Sequence, residues 1–284
     1  MNPADCIAID VGGTKVEIAR VGSNGEITDR VRIETAEVRG HLFEQIVSSL
    51  GQLNLAPGAP IGVGCGGPME RGGTTVSPLN IPEWRNFPLL QALSDATGAN
   101  VSIDNDAKAL ALAEGRFGGA RGSADYVSMV VSTGIGGGIV LDGRLLDGAL
   151  GNAGHIGHLV VEPQGRLCAC GVRGCLEAEA SGTALRAMLG GDPKTANEEI
   201  RRRTGVMVGR AVASVASLLD VTQFFVAGSV ALGFGSPFFV AANETAASLV
   251  GLSFARAVSV EPSTLGSDGP ILGAACVAWR SVGV

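Results

Sequence analysis

The apolar and polar residues follow patterns that predict short strands and helices along the whole chain. In the first half, strands are expected over residues 6–10, 16–20, 26–33, 61–68 and 101–107, and helices over residues 41–53 and 107–114. The dipeptide Asn24-Gly25, between two of these strands, is a strong signal for a hairpin turn. Strands that alternate with helices in this way indicate an α/β fold.

The second half of the chain begins with a repeat of the pattern found at the N-terminus. Residues 126–143 contain an apolar run, a Thr/Gly turn, a second strand and a hairpin at Asp142-Gly143, which is the order found over residues 6–25. This repetition indicates two related lobes. We place the hinge between them near residues 115–123, which gives lobes of residues 1–118 and 119–284.

The remaining segments alternate in the same way. We expect a helical region from residues 180–185, a largely helical stretch over 197–219, strands over 222–228 and 257–261, and a terminal helix over 271–282. The most apolar region, 211–242, is interrupted by polar residues, glycines and Pro237. It therefore predicts helix, strand and loop rather than a membrane span.

Composition and charge exclude several classes of function. The 284 residues are 46% hydrophobic, which indicates a globular protein with a large core. A net charge of −6 gives no general attraction to nucleic acid or to an anionic membrane. The first residues lack the basic and apolar regions of a signal peptide. We therefore expect a cytoplasmic protein whose six cysteines are thiols or metal ligands.

Metal-binding side chains are concentrated in one glycine-rich stretch. Cys168, Cys170 and Cys175, with His158 just upstream, form a Cys₃His set that suits tetrahedral zinc. A closed set of this kind organises the backbone and leaves no open position for chemistry. Three ordinary thiols in a loop are the alternative. Because half of the cysteines fall within this short span, zinc is favoured.

The same stretch carries a family resemblance. Gly154-His-Ile-Gly-His158, followed by Cys-x-Cys-Gly-x-x-Gly-Cys-x-Glu over residues 168–177, resembles the signature of the ROK family of repressors, open-reading-frame proteins and kinases. The resemblance covers most of the chain. It implies a two-lobed actin-like fold, built as a duplicated ribonuclease H-like fold with a zinc loop, whose terminal helix packs back on the first lobe. It also implies a homodimeric ATP-dependent sugar kinase.

Two glycine-rich turns are the expected phosphate sites. The first contains Gly12, Gly13, Thr14 and Lys15. Such a turn can bring backbone N–H groups against phosphate oxygens, and Asp10 before it can hold Mg²⁺ through water. Thr133 and Gly134 stand at the same place in the second repeat, so a triphosphate is expected between the two. Two structural hairpins are the alternative. The resemblance adds Gly228, near the adenosine.

The resemblance also implies a sugar site and a catalytic base. The sugar contacts are Gly66, Asn80, Asn105, His155, His158 and Glu177. Residues 105–107 are similar to the family's Asn-Asp-Ala-Asn motif, so Asp106 is the implied base, with Lys108 where the family often has asparagine. From the residues alone, Asp104, Asn105 or Asp106 equally fits a helix cap.

The identity of the sugar stays open in the sequence. The family usually has Glu-x-Gly-His where this chain has His155-Ile-Gly-His158. A histidine lacks the bidentate acceptor geometry of a carboxylate. We expect transfer to the 6-hydroxyl of a glucose-like hexose. N-acetylmannosamine, mannose, fructose, allose and an aminoglucose are alternatives, and the donor is ATP or polyphosphate.

Three other classes of protein share some of these features. A sugar-sensing repressor is disfavoured because few residues precede Cys6 and because the net charge is acidic. A zinc-stabilised sugar-binding module without catalysis is disfavoured by Asp106. An enzyme that uses the zinc directly is disfavoured by the full Cys₃His set.

Overall fold

The computed structural model describes residues 5–35, 37–38, 40–53 and 58–283. These residues contain strands β1 Cys6–Val11, β2 Lys15–Val21, β3 Ile27–Glu34, β4 Ile61–Cys65, β5 Val101–Asn105, β6 Tyr126–Val131, β7 Ile135–Leu141, β8 Arg144–Leu145, β9 Gln223–Ala227 and β10 Ser259–Pro262. The helices are α1 Leu42–Gln52, α2 Leu89–Thr97, α3 Asp106–Phe117, α4 Leu176–Ala180, α5 Gly182–Leu189, α6 Glu198–Leu219, α7 Ser229–Phe234, α8 Ser236–Leu249 and α9 Gly269–Ser281.

The chain divides into two compact units. Unit 1 contains residues 1–117, 147–153 and 267–284, and unit 2 contains residues 118–146 and 154–266. The division into lobes of residues 1–118 and 119–284 stays a prediction.

The two units contain sheets of the same topology. The strand order is β3-β2-β1-β4-β5 in unit 1 and β10-β9-β6-β7-β8 in unit 2. In each sheet the first strand pairs antiparallel with the strand that follows it in sequence and parallel with a later strand: β1 with β2 and β4, and β6 with β7 and β9. The repeat seen in the sequence is therefore confirmed as a repeat of topology.

The terminal helix α9 packs on the sheet of unit 1 through small residues. A Cβ atom at Gly62 on β4 would lie 1.9 Å from the carbonyl oxygen of Ala274, and one at Gly273 would lie 2.8 Å from the backbone of Ala109 on α3. Only glycine permits this approach of helix to strand and of helix to helix. Trp279 on α9 is fully buried, so the helix belongs to the core of unit 1.

One sequence prediction was wrong in detail. The end of the apolar region 211–242 was expected to be a loop because of its glycines and Pro237. The structure instead has α7 and α8 there, separated by Gly235 at a positive φ of 62°. Pro237 lies in the first turn of α8, where its missing N–H costs no helical hydrogen bond. Within the part of the chain that the structure describes, no helix is long and apolar enough to cross a membrane.

Candidate active site

Two carboxylates of unit 1 lie on either side of β4, one on β1 and one where α3 begins after β5. Asp10 on β1 is paired in register with Gly64 on β4. A Cβ atom at Gly64 would lie 3.8 Å from Oδ1 of Asp10 and 3.7 Å from Cα of Asp106, so both residues border this position. Burial, and then the charge of Asp106, raise the pKa of Asp10 to about 7. Asp106 itself is exposed at the start of α3.

The three polar residues where β5 meets α3 have different partners. Asn105 caps the helix, because its Oδ1 accepts hydrogen bonds from the N–H groups of Ala107 (3.1 Å) and Lys108 (3.3 Å). Asp104 is buried and ion-paired with Lys108. Asp106 keeps an exposed carboxylate beside Asp10 and accepts from the N–H of Ala107 at 2.9 Å. Of the candidate acids at this junction, Asp106 is the one suited to accept a proton from a substrate.

Lys108, which the sequence marked only as a departure from the family motif, has no site role among the sequence predictions. Its ammonium lies 2.8 Å from the carboxylates of both Asp104 and Asp147. Burial raises the pKa of Asp147, but the bonds from Lys108 and Arg280 outweigh this effect and lower the pKa below its usual value. Two signals in the sequence point to it: Lys108 in place of the family's usual asparagine, and the spacing of four residues between Asp104 and Lys108 across the start of a helix.

The first phosphate turn is in contact with a predicted sugar residue. The N–H of Gly12 donates to the carbonyl of Lys15 at 3.0 Å, which closes the turn. A Cβ atom at Gly13 would lie 2.3 Å from Cβ of Asn80, so only glycine allows the two to pack together. The Lys15 ammonium is 2.5 Å from the carboxylate of the buried Glu17. Gly13 and Asn80 border a cavity of about 380 Å³.

An aromatic cluster forms one wall of this cavity. Trp84 is 4% exposed and stacks on Phe87 with ring centroids 4.9 Å apart. Trp84 is therefore part of the hydrophobic core of unit 1. Asn80 is exposed at the cavity, whereas Gly66 follows β4 and is half-buried.

In unit 2, Glu177 contacts the second Thr/Gly turn. Its Oε2 accepts a hydrogen bond from the N–H of Ile135 at 2.5 Å. Cβ atoms at Gly134 and Gly157 would lie only 3.1 and 3.2 Å from its carboxylate oxygens, so glycines make room for it on both sides. Burial raises the pKa of Glu177, while the bond from Ile135 works in the opposite direction. Glu177 thus joins α4 to the turn that holds Thr133.

The four predicted zinc ligands of unit 2 lie together. The ligand atoms of His158, Cys168, Cys170 and Cys175 are all within 4.8 Å of one another. Nδ1 of His158 is 3.8 Å from Sγ of Cys168, and the sulfurs of Cys170 and Cys175 are 3.6 Å apart. Three sulfurs and one imidazole nitrogen at these separations fit a tetrahedral zinc ion. The loop also needs its glycines, since a Cβ atom at Gly174 would lie 1.6 Å from the carbonyl oxygen of Glu162.

His155 and Gly228 complete the predicted residues of unit 2. His155 is exposed, with its ring centroid 6.0 Å from that of His158. Gly228 ends β9 at a φ of 103°, and a Cβ atom there would lie 2.3 Å from the carbonyl oxygen of Val131. The backbone therefore requires glycine at this position whatever it binds.

Comparisons with known proteins agree with the fold and the motifs. The model of the ROK family matches residues 6–281. The chain is 33% identical to a glucokinase of Thermotoga maritima, over 98% of both chains. It is 34% identical to an N-acetylmannosamine kinase of Haemophilus influenzae, over 81% of this chain and 82% of that protein.

A solved structure extends the match to three dimensions. A ROK family glucokinase from Streptomyces griseus, in complex with glucose and AMPPNP, superposes with a TM-score of 0.82 at 27% identity, over 98% of this chain and all of that one. The predicted family and the actin-like fold are confirmed by these matches. The chain belongs to the ROK family, and it is one of that family's sugar kinases.

Proposed function

We propose that the protein transfers the γ-phosphoryl group of ATP to the 6-hydroxyl of a glucose-like hexose. One observation carries this proposal: in unit 1, the accessible carboxylate of Asp106 lies beside Asp10, while Asn80 packs directly on Gly13 of the glycine turn. A base, a polar sugar contact and a phosphate-binding turn are the parts that phosphoryl transfer to an alcohol needs.

Each residue has a defined part in the proposed reaction. Asp106 accepts the proton of the attacking hydroxyl, and Asn80, Asn105, Gly66, His155, His158 and Glu177 bind the sugar. Gly12, Gly13, Thr14, Lys15, Thr133 and Gly134 contact phosphates, and Gly228 lies near the adenosine. Positioning and charge neutralisation supply most of the catalysis of such a transfer. Lys15 would have to exchange Glu17 for a phosphate oxygen to take part.

Two metals complete the proposal. Asp10 would hold Mg²⁺ through water, and the ion would neutralise charge on the phosphates. His158, Cys168, Cys170 and Cys175 would hold a structural zinc ion, which orders the loop between His155 and Glu177. With Nδ1 of His158 facing the zinc ligands, only its Nε2 is left for a sugar hydroxyl.

A coupled ADP-release assay with Mg·ATP across a panel of hexoses tests the proposal. We expect phosphorylation of glucose or a close relative, lost in Asp106→Asn. N-acetylmannosamine is the second candidate, favoured by the similarity to N-acetylmannosamine kinases. Polyphosphate in place of ATP tests the donor, and sedimentation tests the proposed homodimer. Sugar binding without turnover of any hexose would favour a sugar-sensing protein.

A further inference from the structure

Lys108 is held in an unusual way for a lysine. Among the residues that the structure describes, it is the one buried lysine or arginine, with 2% of its surface exposed. Its ammonium contacts the carboxylates of Asp104 and Asp147, both at 2.8 Å, and the carbonyl oxygen of Gly151 at 3.2 Å. Three acceptors match the three donors of an ammonium group, so the buried charge is fully satisfied.

Arg280 on α9 closes the network from outside. Its guanidinium bonds the second oxygen of Asp104 at 3.1 Å and that of Asp147 at 2.8 Å. Two cations and two carboxylates therefore balance within one cluster. The side chain of Arg280 is 42% exposed and that of Lys108 is 3% exposed. Water therefore screens the ion pairs of Lys108 less than those of Arg280, and breaking the pairs of Lys108 should cost more.

The network fastens residues 147–153, here called the strap. The strap belongs to unit 1, although the chain on both sides of it belongs to unit 2. Lys108 holds it at Asp147 and Gly151, and Nδ2 of Asn152 adds a bond to the carbonyl of Met69 at 3.2 Å. Leu150 at its centre is 75% exposed. With few apolar contacts of its own, the strap depends on these polar bonds for its order.

We propose that Lys108 is a positioning residue for the sugar. Its bonds fix the strap, whose next residues along the chain are Gly154 and His155, and they fix Asp104 two residues before Asp106. If the strap is already ordered before the sugar binds, less conformational entropy of the chain is lost when the sugar contacts form. An asparagine at this position would be too short, and uncharged, to make these bonds. The inference rests on the proposed sugar role of His155.

Lys108→Met tests the inference, because methionine keeps the length of the chain and removes the charge. We expect the dissociation constant and the KM for the hexose to rise about tenfold or more, the usual effect of breaking one charged hydrogen bond. The KM for ATP should stay within about twofold, and amide exchange in residues 147–153 should speed up. Lys108→Met/Asp147→Ala should weaken sugar binding little further than Lys108→Met, since Asp147 then loses only its more exposed bond to Arg280.

Arg280→Met is the matched control, in which only the exposed partner is lost, and a smaller change is expected. Any of three results would overturn the inference. They are a dissociation constant for the hexose within twofold of the parent in folded Lys108→Met, an equal rise in the KM for the hexose and the KM for ATP, and unchanged amide exchange in the strap. Should Lys108→Met not fold, Asp147→Ala removes the same bond from the half-exposed side, together with the bond from Arg280 that the Arg280→Met control accounts for. Calorimetric sugar binding needs no turnover, so an inactive parent would contradict the proposed function without affecting this comparison.

Discussion

The Glu177 carboxylate accepts a hydrogen bond from the backbone N–H of Ile135 at 2.5 Å, which joins the helix that follows Cys175 to the second Thr/Gly turn. In the proposed function Glu177 also binds the sugar. One side chain of unit 2 would then touch both the sugar and the turn that contacts phosphate.

Replacement of Glu177 separates these two roles. Glu177→Gln keeps an oxygen that can accept from Ile135, whereas Glu177→Ala leaves the N–H without this partner. Loss of a hydrogen bond to a charged group costs about 1.5–3 kcal/mol, so we expect Glu177→Ala to lower kcat/KM by about tenfold to a hundredfold. We expect Glu177→Gln to raise the KM for the sugar with less effect on the KM for ATP. Equal kinetics for the parent and both variants would contradict both roles.

Asp106→Asn removes the proposed base while it keeps the size of the side chain. The Asp106 side chain is exposed, and an asparagine Oδ1 can still accept from the N–H of Ala107. General-base catalysis contributes about 10²–10⁴-fold, so turnover should fall by that factor, while the melting temperature at neutral pH should equal or exceed that of the parent because repulsion of Asp10 is removed. Asp95→Asn, on an exposed position of α2, is the matched control and should keep full turnover. An active Asp106→Asn enzyme would remove Asp106 from the mechanism.

The repeated architecture was accessible to sequence analysis because its signals are local. Apolar runs, the positive-φ dipeptide at Asp142-Gly143 and the clustered ligands of the zinc loop each lie within a few residues of one another. The same holds for the helix cap at Asn105. Where a feature is defined by short-range spacing, the residues themselves carry the information.

The bonds of Lys108 could not be predicted in this way. Asp147 and Arg280 lie far from it along the chain, and no periodicity marks them as neighbours. Their proximity follows from how α9 and residues 147–153 pack on unit 1. The contact of Gly13 with Asn80 has the same origin, because it joins a turn to a distant loop. Pro237 gave a misleading signal, since proline ends a helix in its interior but is accepted in its first turn.

Asp10 should make the protein less stable as the pH rises. Its pKa is raised from 3.8 to about 7 in the folded state, chiefly by burial. Between these values the folded protein holds a proton that the unfolded chain has lost, so stability falls as the pH rises through this window. Such a shift corresponds to a cost of about 4 kcal/mol once both states are ionised.

Asp10→Asn removes that cost together with the charge. We expect the variant to be more stable than the parent at pH 8, by up to about 4 kcal/mol, and to lose most of this advantage at pH 4. It should also lose turnover, because an amide cannot replace the carboxylate beside Asp106. Denaturant unfolding at both pH values checks the first expectation. A gain in stability that is the same at pH 4 and pH 8 would show that ionisation of Asp10 is not its cause.

The Cys₃His cluster should couple metal content to sugar binding. Cys170 is the exposed cysteine of the cluster, so Cys170→Ser disturbs the core least while it removes one thiolate. We expect zinc to fall from about one ion per chain to near zero, because structural sites of this kind are four-coordinate. Sugar affinity should fall with it, since the cluster lies on the loop between His155 and Glu177, whereas ATP affinity should change less. Cys276→Ala, which alters a buried thiol outside the cluster, should keep both metal and sugar. Metal-free protein that phosphorylates its hexose at the full rate would show that the cluster does not order the sugar loop.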